Sequence, residues 1–512
     1  MAKNSLGRDI PDTWHGKKLI PYTDPWSLMP DVDRGTRPLV RRNPGESKVL
    51  PDLRAAIEKC GLQDGMTIAT HHHLRNGDLL LNLLVQEIEA MGIRDITIAS
   101  SSVHQVHAEI IPQIRKGVVT KFETGVNGLI GEMVSKGELD CPIVVRSHGG
   151  RARSLVTSEV PVDVAFIAAP CCDETGNLNG VSGPSACGSL GYAFTDARYA
   201  KKVVAVTDNL VPYPAAPVSI SQSDVDYVVA IESLGDPKKI VSTTTRVTRD
   251  PAGLLIARYA AEVIEASGLL KDGFSFQTGA GGTSLAVAEA VKRKMLANKI
   301  RGSFGCGGIT GYFVDMLEEG YFQTLFDVQC FDLRAVESIG RNLRHREISA
   351  DLYANPFNRG SVVNMLDVVI LGATEVDVNF NVNVNTESNG YLLHNTGGHS
   401  DTAAGAKLAI VVAPSIRGRL PIIRDELTTI TSPGETIDVV VTERGIAVAD
   451  RHQELKQELQ KRRLPVKEIR ALHKEICDLT GRPRPVEFTD EVVALIEYRD
   501  GSIIDAVRRV KE

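Results

Sequence analysis

Apolar positions along the chain fall into short β-branched runs, each followed after a Gly or Asp turn by a longer stretch of helical period. That alternation predicts an α/β protein with a largely parallel sheet. Residues 67–70 read as a strand, Asp78 as the cap of a helix running to Met91, Gly92 as its end and residues 96–99 as the next strand, which together make one βαβ unit. Further on, 143–145 and 274–277 read as strands, and 252–267 and 285–296 as helices. Residues 451–480 are rich in Glu, Lys and Arg and read as an exposed helix with a solvated face, before a last strand at 492–498 and a last helix at 502–510.

The pattern recurs at long range. Asp64-Gly65 is answered by Asp272-Gly273 at an offset of 208, residues 162–167 by 366–371 at 204, Asp173 and Asn177 by Asp377 and Asn381 at the same 204, and residues 225–229 by 437–441 at 212. Four ordered matches with a slowly drifting offset predict two copies of one α/β domain, and the spacing is far too long for a solenoid. The expected organisation is an extended arm over 1–45, proline-rich and carrying Trp14 and Trp26 as aromatic anchors, a first domain over 46–250 and a second over 251–512, with the junction near 242–251.

Composition narrows the function classes. Over 512 residues, 43% hydrophobic and 24% charged, the formal charge is −6, which offers no basic excess for a nucleic acid. The most apolar runs, such as 408–413, are strand-length and too short to cross a bilayer, and residues 1–16 lack the apolar segment of a secretory signal, so the expectation is a cytoplasmic protein without a membrane span. Eight cysteines without C-x-x-C spacing read as buried thiols. The run His71-His72-His73 is set aside as a metal site, because consecutive residues on an extended segment point to opposite faces.

Chemistry is expected where strands end and helices begin. Two glycine clusters stand at such places: Gly279, Gly281 and Gly282 after the strand 274–277, and Asn395-Thr396-Gly397-Gly398-His399 before the helical run 402–407. Missing side chains admit a ligand to the backbone, and free amides at a helix start favour an anion or oxyanion. The first cluster has Ser284 where a dinucleotide fingerprint needs glycine. Arg146, His148, Arg151 and Arg153 lie within eight residues after the strand 143–145, and Arg75 precedes the first helix. Guanidinium groups match carboxylates bidentately, so a small polycarboxylate suits them, and structural ion pairs are the other reading. Glu375, Asp377, Glu387 and Asp401 are the acidic residues near the glycines.

Residues 377–383, Asn395-Thr396-Gly397-Gly398-His399-Ser400-Asp401 and Val441-Thr442-Glu443-Arg444-Gly445 resemble ordered landmarks of the coenzyme A transferase superfamily. Within it the chain is most similar to the citrate lyase alpha subunits, from about Leu53 to the carboxyl end, through Ala99-Ser100-Ser101-Ser102, Ser147-His148-Gly149-Gly150-Arg151, Cys187-Gly188-Ser189-Leu190-Gly191-Tyr192 and Glu487-Phe488-Thr489-Asp490. The resemblance implies two related coenzyme A transferase-type domains with the active site in the crevice between them. It also implies transfer of an acyl-carrier thiol from acetyl to citrate, giving citryl carrier and acetate. The implied partners are a beta subunit that cleaves the citryl thioester and a gamma acyl carrier subunit in an oligomeric complex. The implied cofactor is a dephospho-coenzyme A-type group on the carrier, none being attached to this chain. Gly281, Gly282, Gly397 and Gly398 become the expected oxyanion donors, Arg146, His148, Arg151, Arg153 and Arg75 the citrate contacts, and Gly279, Asn395 and Thr396 the contacts of the carrier's prosthetic group.

The superfamily's glutamate nucleophile is missing at both customary places, which fall on Gly307 and on Ser388 of Glu387-Ser388-Asn389-Gly390. Direct attack of a citrate carboxylate on the acetyl thioester, through a mixed anhydride and without an enzyme thioester, is therefore the expected route. Two alternatives stay open: an ordinary coenzyme A transferase using free acyl-coenzyme A with Glu387 as nucleophile, and a carboxylate-sensing or scaffold module without turnover.

Overall fold

The strands expected at 67–70 and 96–99 form as Thr67–Ala69 and Ile96–Ile98 and pair in parallel, Thr67 opposite Thr97. The computed structural model describes residues 47–241 and 246–511, with the backbone of four two-residue strands among residues 2–18. The anchoring of the arm 1–45 through Trp14 and Trp26, and positions 242–245 of the expected junction, lie outside the described residues.

Two large sheets carry the fold. The first runs Val49–Leu50, Tyr227–Ala230, Lys202–Thr207, Val164–Ala168, Thr67–Ala69, Ile96–Ile98, Val119–Phe122, every pair parallel. The second runs Gly445–Val448, Val439–Thr442, Leu408–Val412, Val368–Leu371, Phe276–Thr278, Gly302–Ile309, Phe322–Cys330, His345–Glu347, antiparallel only at the first pair. Six strands of each follow the same order, so the sequence repeat corresponds to a repeated topology. Central strands such as Val164–Ala168 and Val368–Leu371 are buried throughout, as parallel strands covered on both faces require.

The matching residues hold matching backbone groups. Asp163 accepts the Thr67 amide at 2.8 Å and Asp367 the Ser275 amide at 2.9 Å, while Lys201 and Lys407 each pair with the carboxylate at 2.7 Å. Asp226 accepts the Val203 amide and Asp438 the Ala409 amide. Asp173 binds its own turn and the Asn177 side chain, and Asp377 does the same with Asn381. Each of these carboxylates satisfies a backbone donor at a strand start or turn, so each copy needs the same acid at the same place.

Two expected elements differ. The charged stretch 451–480 is two helices, Gln453–Lys461 and Ile469–Thr480, interrupted at Pro465 and burying Leu455, Leu459, Leu472 and Ile476. Residues 502–510, expected as a helix, form the strand Ile503–Val510, which returns antiparallel on Phe488–Glu497. That hairpin then adds in parallel to Ile143–Val145, 351 positions away at Arg146 and Glu497. The carboxyl terminus of the chain is thereby built against the first half.

Candidate functional site

The segment that follows the strand Ile143–Val145 meets the second glycine cluster at Ser147 and Gly397, and open α/β sheets bind ligands at such strand ends. Ser147 caps the helix His148–Val156, accepting the Gly150 amide at 2.9 Å. The amide of His148 donates to the Gly397 carbonyl at 2.8 Å, and Ser147 bridges to Gly397 in parallel. Asp401, fully buried, locks this junction: Ser147 Oγ donates to its Oδ1 at 2.8 Å and the Gly149 amide to its Oδ2 at 2.9 Å, with Arg499 Nε 3.8 Å from Oδ1. Burial pushes the Asp401 carboxyl up to about 6 against the pull of Arg499 and these donors.

The second glycine pair is fitted to its surroundings. A Cβ on Gly398 would stand 2.6 Å from the Tyr353 hydroxyl, and Gly397 has φ +63°. Tyr353 accepts from Gln277 Nε2 at 2.8 Å, and Gln277 Oε1 accepts from Cys306 Sγ at 3.2 Å. Gln277 precedes the first glycine cluster, so this chain of contacts ties the two clusters to one end of the second sheet. Gly279 and Gly281 behave differently: a Cβ at either would meet nothing closer than Ser284 Oγ, at 3.7 and 4.0 Å. The protein's own packing leaves these two open to a ligand. Gly281 is the N-cap of the helix Gly282–Asn298 and supplies no side chain to its first-turn amides.

Facing these from the first half is a group of rings. Tyr192 Oη and His148 Nε2 lie 2.9 Å apart, and Tyr192 stacks on His72 with centroids 4.7 Å apart and on His73 at 5.2 Å. His71 and His73 touch through their Nδ1 atoms while His72 turns to the other side and bonds Ser101 Oγ at 2.7 Å, the alternation expected of an extended run. Burial pushes His148 and His104 down to about 3 and His72 and His73 well below the ordinary imidazole range, with neighbouring cationic groups adding to the effect. The cluster is therefore neutral near pH 7.

The arginines separate into two kinds. Arg146, 6% exposed, bonds Glu497 at 3.0 Å and Glu123 at 2.5 Å; Arg153 bonds Glu497 at 2.8 Å and Glu159 at 2.6 Å; Arg151 bonds Asp196 at 2.7 Å and the Ala99 carbonyl. These three stand in internal ion pairs, with carboxylates up to 351 positions away; Arg151 and Arg153 are buried on the helix His148–Val156 and Arg146 just before its cap. Arg75 has no carboxylate within ion-pair distance among the described residues, and its guanidinium lies over the Phe331 ring, 4.9 Å from the centroid.

Asn395 and Thr396 serve the junction. Asn395 Nδ2 donates to the Ser101 carbonyl at 3.2 Å, its side chain packs against Gly125, and its Oδ1 accepts the Thr396 amide. Glu387 is exposed in the turn between Thr386 and Leu392, its amide bonded to the Tyr391 carbonyl. Ser388 Oγ donates to Glu375 at 2.7 Å, and that carboxylate also holds Arg424 at 2.6 Å. Gly307 has φ +99°, and a Cβ there would stand 2.8 Å from the Gln277 amide, so the backbone and its neighbour both exclude a glutamate. Tyr192, Tyr353, Gln277 and His104 are site residues that motif reading did not assign; Tyr192 sat inside a matched segment and Gln277 at the end of the expected strand 274–277, while Tyr353 and His104 carried no local signal.

The geometry has close counterparts. A family model described as "Citrate lyase, alpha subunit (CitF)" matches residues 46–510. The citrate lyase alpha chain of Klebsiella pneumoniae is 48% identical over 467 residues, covering 91% of this chain and 92% of that one. That of Haemophilus influenzae (strain ATCC 51907 / DSM 11121 / KW20 / Rd) is 46% identical over 472 residues, covering 92% and 94%. Among solved structures, one described as the alpha subunit of citrate lyase from Streptococcus mutans in complex with citrate superposes with a TM-score of 0.92 at 46% identity, covering 100% of both chains. A Pseudomonas malonate decarboxylase hetero-tetramer in complex with malonate contains a chain that aligns with a TM-score of 0.64 at 17% identity over 86% of this chain and 95% of its own, a likeness of fold.

Proposed function

The chain belongs to the citrate lyase alpha subunit family and is an enzyme subunit of that kind, and from that premise we propose that it exchanges acetyl for citryl on an acyl carrier thiol, in the crevice between its two sheets. The observation that carries this reading is the junction of His148 with Gly397, which brings the cation-bearing segment of the first half and the glycine clusters of the second to one place.

In this reading a citrate carboxylate oxygen attacks the carbonyl carbon of the acetyl thioester and the carrier thiolate leaves, giving a mixed anhydride. The thiolate then attacks the citryl carbonyl carbon and acetate departs. Both steps build an oxyanion, which the amides at Gly281 and Gly282, where a helix begins, and those of Gly397 and Gly398 would stabilise. Open space at Gly279 and Gly281 suits a pantetheine-like arm. Neutral His148, bonded to Tyr192, donates without adding charge. Gly307 and Ser388 leave neither customary position able to supply a carboxylate nucleophile, which favours direct attack over an enzyme thioester. The carrier would bear a dephospho-coenzyme A-type group, and a beta subunit would cleave its citryl thioester to oxaloacetate and the acetyl carrier, in an oligomeric, cytoplasmic complex.

The test is an exchange assay on the purified chain, with acetyl-dephospho-coenzyme A or an acetylated carrier and labelled citrate, followed by mass spectrometry of the citryl thioester. Product from wild type and from Glu387→Ala is expected. Loss of product in Glu387→Ala together with a hydroxylamine-trapped enzyme thioester in wild type would replace direct attack by the ordinary transferase route. Citrate binding without any exchange would replace catalysis by sensing.

A further inference from the structure

Two buried nitrogen atoms beside the ring cluster, Arg75 Nη1 and His104 Nε2, have no hydrogen-bond partner. The surrounding bonds fix what each offers. His104 precedes the turn Gln105–Ile110 and caps it: the His107 amide donates to the His104 carbonyl at 2.9 Å, the two side chains stand in a capping-box arrangement, and the His104 amide donates to His107 Nδ1 at 3.0 Å. His107 Nε2 then donates to Asp78 Oδ2 at 3.0 Å. The capping-box arrangement sets Nδ1 against the His107 amide as an acceptor, and the tautomer that suits it carries its proton on the unpartnered Nε2 as an unspent donor. Arg75 has only donors to give.

Arg75 is also held at a cost. Its φ of +53° is rare for a residue other than glycine, and such conformations persist where the surrounding structure over-determines them, often at functional sites. Its amide donates to the His72 carbonyl at 2.9 Å. Phe331, beneath the guanidinium, leans over Gly308, where a Cβ would stand 2.1 Å from the ring. The second half of the molecule thus supports a guanidinium presented by the first; the His72 ring lies tilted against His104 with centroids 5.1 Å apart, and the Arg75 charge acts on His104 directly. Arg146, Arg151 and Arg153, at and before the helix His148–Val156, are occupied by Asp196, Glu123, Glu159 and Glu497.

We infer that Arg75 and His104 form a carboxylate subsite, which seats a carboxylate of the substrate other than the one that reacts. Two unpartnered donors, one charged and one neutral, match the two oxygens of such a group. Burial, which pushes His104 down to about 3, agrees with a donor that stays neutral, since protonating Nδ1 would break its cap. The inference rests on citrate being the substrate and adds which residues count its carboxylates.

The test measures citrate and citramalate, which lacks one carboxylate, by titration calorimetry on the full chain. Wild type is expected to prefer citrate. Arg75→Gln and His104→Asn should each weaken citrate roughly tenfold to hundredfold and bring its affinity towards that of citramalate. His104→Asn keeps an acceptor for the cap and loses only the outward donor, so it carries the test if Arg75→Gln does not fold. His104→Gln, which places a donor near the Nε2 position, should recover part of the preference. Retention of the full preference in both Arg75→Gln and His104→Asn overturns the subsite while leaving citrate as substrate. Failure of wild type to bind citrate overturns the substrate reading itself.

Discussion

Glu497 ties the C-terminal hairpin to Arg146 and to Arg153 on the helix carrying His148. It is 3% exposed, accepts from Arg146 at 3.0 Å and from Arg153 at 2.8 Å, and lies on the strand that pairs with Ile143–Val145. Each contact is a charge-assisted hydrogen bond of about 1.5–3 kcal/mol, and removing one partner from a buried ion pair costs about 3–5 kcal/mol. Arg146 keeps Glu123 and Arg153 keeps Glu159, both partly open to water, so Glu497→Ala should fall at the lower end, about 3 kcal/mol. A chain with two large sheets is not expected to unfold in one step, which makes local opening the better readout. In hydrogen exchange followed by mass spectrometry, about 3 kcal/mol corresponds to roughly hundredfold faster opening. Peptides over 488–510 and 143–156 should both speed up by that order in the variant, while peptides from Leu408–Val412 should not. Exchange within threefold of wild type across the hairpin would refute the reasoning, and would mean that backbone pairing and the apolar contacts of Ala494 and Ile496 hold the hairpin unaided.

Three further outcomes follow from the same geometry. Because burial raises Asp401 from 3.8 to about 6, the folded state keeps a proton there that the unfolded chain has released between about pH 4 and 6. Its contribution to stability therefore falls as pH rises through that window and is constant above it, so Asp401→Asn should gain on wild type over pH 4 to 6 in thermal denaturation, and parallel curves would show that Asp401 titrates normally. Gly307→Glu should not create an acyl-accepting nucleophile: positive φ costs a side-chain residue about 1–2 kcal/mol and its Cβ would displace Gln277, so a lowered melting temperature without a hydroxylamine-sensitive enzyme thioester is expected, and a trapped thioester would reverse the argument. Ser388→Ala removes one bond to Glu375, for which a loss of about 1–2 kcal/mol in stability with exchange activity retained is expected; loss of activity with stability intact would make Ser388 a participant in the chemistry.

Much of the architecture was legible in the chain itself. The strand–helix alternation is a local pattern, and the repeat could be read because residues such as Asp163 and Asp367, or Asn177 and Asn381, do the same local work in each copy, closing turns and strand starts a few positions or one strand away. The glycine clusters were legible for the same reason, since they mark junctions between a strand and the helix after it. One local signal was passed over. Asp500-Gly501, with Gly501 at φ +97°, is a hairpin turn pair, and it explains why Ile503–Val510 is a strand instead of a helix.

Tertiary structure alone decided which charges are free. In sequence Arg146, Arg151 and Arg153 form a dense cationic segment and Arg75 stands isolated, yet the fold reverses their availability. Glu497 reaches Arg146 and Arg153 across 351 and 344 positions, and Asp196 comes to Arg151 from the neighbouring helix. Arg75 is left with Phe331 and, among the described residues, no acid within ion-pair distance. A side chain's composition and spacing state what it can bind, but a buried charge is settled by whichever opposite charge the packed chain brings within reach, and burying one without a partner costs too much for it to remain so without a purpose. That pairing depends on contacts hundreds of residues apart, which no window of sequence contains.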